Sequence, residues 1–295
     1  MIRLYALLAV IVVCASSCEK AISFTPDNAE PTVVVEATIE DGQPPVVILS
    51  RSLNYFTHIT PELLVSSFIH DADIEISNGS LTHRLKEYTL QTPDGYALSY
   101  YTIDSSSLGT AFVGEQGKAY SLRILTNGEE YTATTTIPLL TKTIDSLWWQ
   151  QANNHSDTNK VMLMGRFIDP PGFGNYIRFF TSTNDEPFYP GLNSVFDDQI
   201  IDGKTYSLQI ERGVNRNEDI DFEEYSFFER GDSVTVKFTN IDKATFDFWR
   251  TMEYSYASIG NPFATPVKVL SNISGGALGY FGGYAVQYIS LVIPE

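Results

Sequence analysis

The chain has 295 residues, 36 acidic against 19 basic side chains, a formal net charge of −17 and two cysteines. That length holds one large or two ordinary domains, and so acidic a surface disfavours nucleic acid and anionic membrane surfaces as partners. Both cysteines lie within the first eighteen residues, so no disulfide framework serves the folded part.

The first element is a leader. Arg3 is a short positive region, Leu4 to Val13 an apolar run, and Ala15, Ser16 and Ser17 are small. About ten apolar residues suit a signal-peptide core, whereas a spanning helix needs roughly twenty. Cys18 directly after small residues matches a lipobox, in which the thiol is acylated and becomes the first mature residue. The plainer alternative is a secretory signal with two incidental cysteines. Cys14, preceded by Val13, suits lipidation poorly. Each buried methylene of a lipid chain contributes about 0.8 kcal/mol, and two chains give stable anchoring. The reading is therefore a signal peptide over 1–17, lipidation at Cys18 and a polar tether over 18–31. Glu19, where an aspartate would retain the protein at the inner membrane, leans toward the outer membrane and leaves its side open. Scattered Asp27 and Glu30 make no export run.

Strands follow. Thr32–Ile39 and Val46–Ser52, separated by Asp41-Gly42 and Pro44-Pro45, read as a hairpin-like pair. Ala72, Ile74 and Ile76 alternate with acids, Asn78-Gly79 turns the chain, and Leu81, His83 and Leu85 continue the alternation. Tyr120, Leu122 and Ile124 share a face, Asn127-Gly128 turns, and Tyr131, Ala133 and Thr135 return. Short strands at regular spacing predict an immunoglobulin-like or transthyretin-like sandwich over 32–138.

A second β-rich domain is expected over 139–295, with strands at Lys160–Ile168, Asn175–Ser182, Lys204–Glu211, Ser233–Thr239 and Ala285–Ile293. Asp169-Pro170-Pro171-Gly172 makes a rigid turn. Phe246, Trp249, Met252 and Tyr256 recur at helical spacing behind Asp242, an N-cap residue, and Gly260 and Pro262 end the run. One amphipathic helix over 242–259 lies on a sheet. The fold class is all-β with that helix. Short strands, the helix and the anchor favour a solvated body over a membrane barrel, whose strands run about ten residues.

Cys18-Glu19-Lys20, VVVEATIEDG, DPPGFGNYIRF and, most specifically, NPFATPVKVLSNISGGALGYFGGYA resemble a family of Bacteroidetes lipoproteins labelled domain of unknown function 4249. The resemblance covers nearly the whole mature chain. It implies a β-rich envelope protein, often encoded near TonB-dependent outer-membrane receptors, and names no reaction.

No catalytic constellation stands out. His58, His70, His83 and His155 are not spaced as converging zinc ligands, and His83 reads as a satisfied strand residue. G-x-S-x-G is absent, and Ser274-Gly275-Gly276 lacks the helix and lysine of a phosphate cradle. Its glycines permit close backbone approach, which lets Tyr280, Phe281 and Tyr284 pack on the core or project to a partner. Asp197, Asp198 and Asp202 form one acidic cluster. NEDIDFEEY, with Asp219, Asp221 and Glu223, is a weak calcium candidate without EF-hand spacing; a solvated loop is the plainer account. Trp148-Trp149 and Phe188-Tyr189-Pro190, in a turn-like stretch, are aromatic candidates. Neighbours in a strand face opposite sides, so one tryptophan at most belongs to the core.

Trp149, Phe188, Tyr189, Tyr280 and Phe281 are thus the candidate ligand or partner contacts, and no cofactor is called for. The leading expectation is a non-enzymatic accessory lipoprotein of the outer membrane beside a TonB-dependent transporter. The alternative is a surface module for glycan or peptide. A hydrolase built on paired carboxylates ranks last.

Overall fold

In a computed structural model, residues 30–53, 60–92, 95–152, 155–261, 263–265 and 267–295 are described. The leader, Cys18 and most of the tether, together with His58 and Pro262, lie outside them. Among the described residues fifteen strands and two α-helices follow in chain order: β1 (Val33–Glu40), β2 (Val46–Arg51), α1 (Pro61–Ser67), β3 (Asp73–Ser77), β4 (Thr82–Gln91), β5 (Ala97–Ile103), β6 (Ala119–Thr126), β7 (Glu129–Thr136), β8 (Thr143–Gln151), β9 (Lys160–Ile168), β10 (Tyr176–Thr183), β11 (Tyr189–Phe196), β12 (Thr205–Ile210), β13 (Phe228–Glu229), β14 (Ser233–Ile241), α2 (Lys243–Ala257) and β15 (Leu278–Val292). The fold is all-β and sandwich-like. Among the described residues no helix is long and apolar enough to cross a membrane.

Eleven strands join in the order β11-β10-β14-β15-β1-β2-β5-β4-β3-β6-β7, and β8, β12 and β13 pair with β9 in a second sheet. β4 is a corner: Leu85–Gln91 pairs with β5, whereas Thr82–Arg84 pairs with β3. The chain thereby passes from one layer to the other without a free edge between them. Asn127 and Gly128 both take positive φ (52° and 82°) in the β6–β7 hairpin, the conformation that an Asn-Gly pair favours.

β15 organises the molecule. Its first half runs parallel to β1, from Val34↔Leu278 to Glu40↔Tyr284, and its second half antiparallel to β14, from Ile241↔Tyr284 to Ser233↔Val292. Tyr284 is the residue common to both ladders. Close approach needs the glycines here: at Gly279 (φ 99°) a Cβ would sit 1.9 Å from the Val35 carbonyl oxygen, and at Gly283 one would sit 2.7 Å from that of Thr136.

Alternation along these strands makes two faces. On the inner face Val35, Ala37, Ile39, Phe281 and Ala285 join β2–β7 residues in a first core, and Val161, Leu163, Ile177, Phe179, Val236 and Phe238 build a second. The outer face carries Glu36, Thr38, Glu40, Tyr280, Tyr284, Lys237, Arg178 and Phe180.

Several expectations need correction. Residues 31–295 form one compact unit. The division after residue 138 marks a change of core, not a boundary, because Phe281 and Ala285 complete the first core from the far end of the chain. The last strand begins at Leu278, seven residues before the expected Ala285, since β1 supplies a partner that local pattern does not reveal. At fifteen residues it also exceeds the short strands anticipated. Tyr189-Pro190 opens edge strand β11 instead of a turn, a position where proline is tolerated.

Candidate functional site

The outer face is partly roofed by α2. Asp242 caps this helix, accepting from Thr245 N through Oδ1 (2.8 Å), while its Oδ2 accepts from Thr135 Oγ1 (2.7 Å) and Thr136 N (3.0 Å) of β7. The cap therefore also ties the helix to the sheet. Phe246 and Phe248 are buried against Tyr280, Tyr284, Val195 and Ile241, with Trp249 and Met252 alongside. Gly282 makes room, since a Cβ there would meet Tyr280, Tyr284 and Thr245 side-chain atoms at 2.9–3.0 Å.

Beside the helix the same face opens into a cavity of about 410 Å³, lined by side chains of β1, β10, β14, β15 and α2 and by Phe188, Pro190 and Arg216. Arg178 is only 4 % exposed. Its guanidinium carbon lies 3.3 Å from the Trp249 ring centre and 4.7 Å from that of Phe180, two cation–π contacts that favour the charged group there. Nε donates to Ser194 Oγ (3.1 Å). Among the described residues neither Nη atom has a hydrogen-bond or ion-pair partner. Neither Nη atom is among the fully buried atoms left without a partner, so both keep contact with solvent.

The nearby carboxyls do not neutralise it. Glu36 lines the cavity and its side chain is exposed there; the protein around its carboxyl raises its pKa by desolvation, against the pull of Arg178. It too has no hydrogen bond or ion pair among the described residues. Burial likewise raises Glu253, although Ser194 hydrogen bonds and the fields of Arg178 and Arg216 oppose it. Glu253 Oε2 accepts from Ser194 N at 3.0 Å, and Val214 N donates to Pro190 O at 3.0 Å. Together these satisfy two backbone groups on the edge of β11, where unpaired groups would offer a template for pairing. Glu40 is engaged by Lys237. Tyr284 Oη bridges Trp249 Nε1 and Tyr280 Oη, each at 3.3 Å, and burial pushes the Tyr280 phenol well up. Arg216 lies 5.1 Å from the Tyr256 ring centre. Chemically, the arrangement offers aromatic walls, two free guanidinium donors and one free carboxyl.

Of the candidates read from sequence, the cavity brings together Phe188 and Tyr280. Phe188, 39 % exposed, packs 5.8 Å from Tyr288, and Tyr189 pairs with Thr181 beside the site without lining it. Phe281 is 0 % exposed in the first core and is withdrawn as a contact. Trp149 packs on the second core with Arg230 4.8 Å from its ring; it is a core-edge residue, and neither Trp148 nor Trp149 is fully buried. Arg178, Glu36 and Lys237 were not singled out in sequence, and Trp249 was read there only as part of the helix pattern. The available signal was a charged residue interrupting the apolar run YIRFF.

The histidines form no metal site in the described residues. Buried His83 contacts Thr110 Oγ1 (2.9 Å) and accepts from Asp104 N (3.1 Å), as a satisfied strand residue should. His70 meets Glu87, and His155 meets Glu224. Asp219, Asp221 and Glu223 are exposed and do not converge; Asp221 Oδ1 instead accepts from Glu223 N (2.9 Å). The calcium expectation there loses its geometric basis. The acids that do converge are Asp169, Asp198 and Asp202, within 4.8 Å of one another. They accept backbone amides of the DPPGFGN loop and Gly203, and Asp169 Oδ1 meets Lys142 Nζ at 2.8 Å with both side chains fully buried. The lysine supplies the cation, so the cluster is a clamp on the loop.

No curated protein matches the chain. Residues 19–290 match the family described as a domain of unknown function, DUF4249, and the chain belongs to that family.

Proposed function

We propose that this chain is a non-catalytic binding protein of the cell envelope, held at the outer membrane by lipid on Cys18 and capturing a small ligand in the cavity beside α2. The observation that carries this reading is Arg178, a cavity-lining residue in contact with two aromatic rings, whose Nη groups have no protein partner among the described residues. Native proteins pair their buried charges, and a small-molecule site has apolar walls and a few polar groups left free. The groups assembled here suit recognition by charge and stacking. A thermal-shift panel of peptides, neutral glycans and acidic glycans on the full chain tests it. Stabilisation by one class is the expected result, and a flat panel refutes it.

A second reading is an accessory role beside a TonB-dependent transporter, which the family resemblance implies. It is favoured by exposed apolar side chains around another cavity: Ile200 is 87 % exposed, with Tyr254 and Val267 on the same rim. Detergent pulldown from native membranes tests this role. Recovery of an envelope transporter supports it, and recovery of none counts against it. Mass spectrometry of the native amino terminus tests the lipid.

A further inference from the structure

The arrangement of charge in the cavity narrows the ligand class. Arg178 and Glu36 lie on β10 and β1, with β14 and β15 between them. Arg178 is level with Val286 of β15 and Glu36 with Tyr280, so their backbones are separated both across the strands and along them, and the two side chains line the same cavity. They sense each other's field, yet no ion pair within 4.0 Å joins them. Each charge is thus presented singly to the same space. Other charges at the site are engaged: Lys237 with Glu40, Glu253 with Ser194, and Arg216 with the Leu192 carbonyl oxygen at 3.0 Å.

Resting on the reading of this cavity as the binding site, we infer that its ligand is a free amino acid or short peptide: Arg178 takes the carboxylate through its two Nη groups, Glu36 takes the ammonium, and the aromatic walls hold an apolar side chain. A planar guanidinium with two parallel donors free is the geometry that a carboxylate satisfies bidentately. A neutral sugar would leave both charges without a counterion, and an acidic sugar would leave Glu36 without one. The 410 Å³ volume lies toward the lower end of small-ligand sites, which limits the occupant to a few residues. Trp249, Tyr256 and Phe188 at the walls favour an aromatic or large aliphatic side chain by stacking and area burial.

Calorimetric titration of the full chain in detergent tests the inference. The probes are dipeptides carrying Phe, Tyr or Trp, each with free ends, as the C-terminal amide and as the N-acetyl form, together with neutral and acidic oligosaccharides. At least one free dipeptide binds, amidation weakens it tenfold or more, and acetylation weakens it severalfold. Glu36→Gln abolishes the difference between free and acetylated forms while keeping that between acid and amide. Its side chain opens onto the cavity, so the fold does not depend on it. Arg178→Gln abolishes the acid-to-amide difference. Should that variant fail to fold, the chemical series on the unaltered chain and on Glu36→Gln decides the matter. Equal binding of acid and amide, tighter binding of an oligosaccharide than of any dipeptide, or no binding of a dipeptide overturns the inference. Oligosaccharide binding would leave the cavity's role as a binding site standing, whereas silence from all probes would remove both.

Discussion

Two buried cations stand in opposite circumstances. Lys142 is wholly enclosed against Asp169, within a cluster whose carboxylates are wrapped in backbone amides. Arg178 is almost as deeply buried, but it leans on two aromatic rings and leaves both Nη groups open to a cavity. The first charge is consumed in holding the DPPGFGN loop against the core. The second is held in readiness. A buried charge with its complement is architecture; one without a protein complement, on the wall of a cavity, is a binding group.

The contrast can be broken most forcefully at the lysine. Lys142→Met leaves Asp169 buried without its cation, and such a loss costs about 3–5 kcal/mol. Urea unfolding should show that drop, and a change under 1 kcal/mol would mean the pair is not a lock. Next in size, Asp242→Ala removes an N-cap that also bonds β7, with an expected loss of about 1–2 kcal/mol by the same measurement. Arg178→Met should shift stability by no more than about 1 kcal/mol in either direction, because relief of an unpaired buried charge offsets the lost cation–π contact. A loss as large as that of Lys142→Met would place Arg178 with the structural charges.

The smallest effect is on pH dependence, and its sign separates paired from unpaired carboxyls. Glu87 is raised by burial, but its bonds to Ser99, His70 and Asp71 N outweigh this and hold it at about 2. A depressed folded value gives stability that is full above the unfolded value, near 4.3, and is lost as pH falls toward about 2. Glu36 and Glu253 are raised, so their ionised forms oppose folding. That opposition is full above their folded values and fades as pH falls toward about 4.3. Glu253→Gln should flatten the slope above this point, and Glu87→Gln the slope below it, in unfolding curves recorded across pH. Slopes of the same sign in both windows would contradict the assignment.

Much of the fold was legible where the signal is local. Asn127-Gly128 gave its turn, Asp242 its helix, and the alternation around Ile74 and Tyr120 its strands. β5 and the edge strand β11 were not anticipated: YPGLNSVF carries a proline, a glycine and an asparagine, and pairs only because β10 lies beside it. α1 was also missed, although Thr60 caps it and Pro61 begins it, because seven residues are too few for a period to show. The site was the least legible. Glu36 and Arg178 are far apart in sequence and meet one cavity because β15 turns from parallel pairing with β1 to antiparallel pairing with β14. No local pattern encodes that relay. The aromatic tail did point to Tyr280, but the strand's alternation sends Tyr280 to the site and Phe281 to the core, and that depends on which face the sheet buries.

Ligand binding in the cavity beside α2 can be read at Trp249. The chain has three tryptophans, and the Trp249 indole N–H is bonded to Tyr284 at the cavity wall, whereas Trp148 and Trp149 belong to β8. In a proton–nitrogen NMR titration with the free aromatic dipeptides, the Trp249 indole signal should move and saturate while the other two stay in place. A bound dipeptide that leaves Trp249 unmoved, or shifts Trp148 or Trp149 instead, would contradict it.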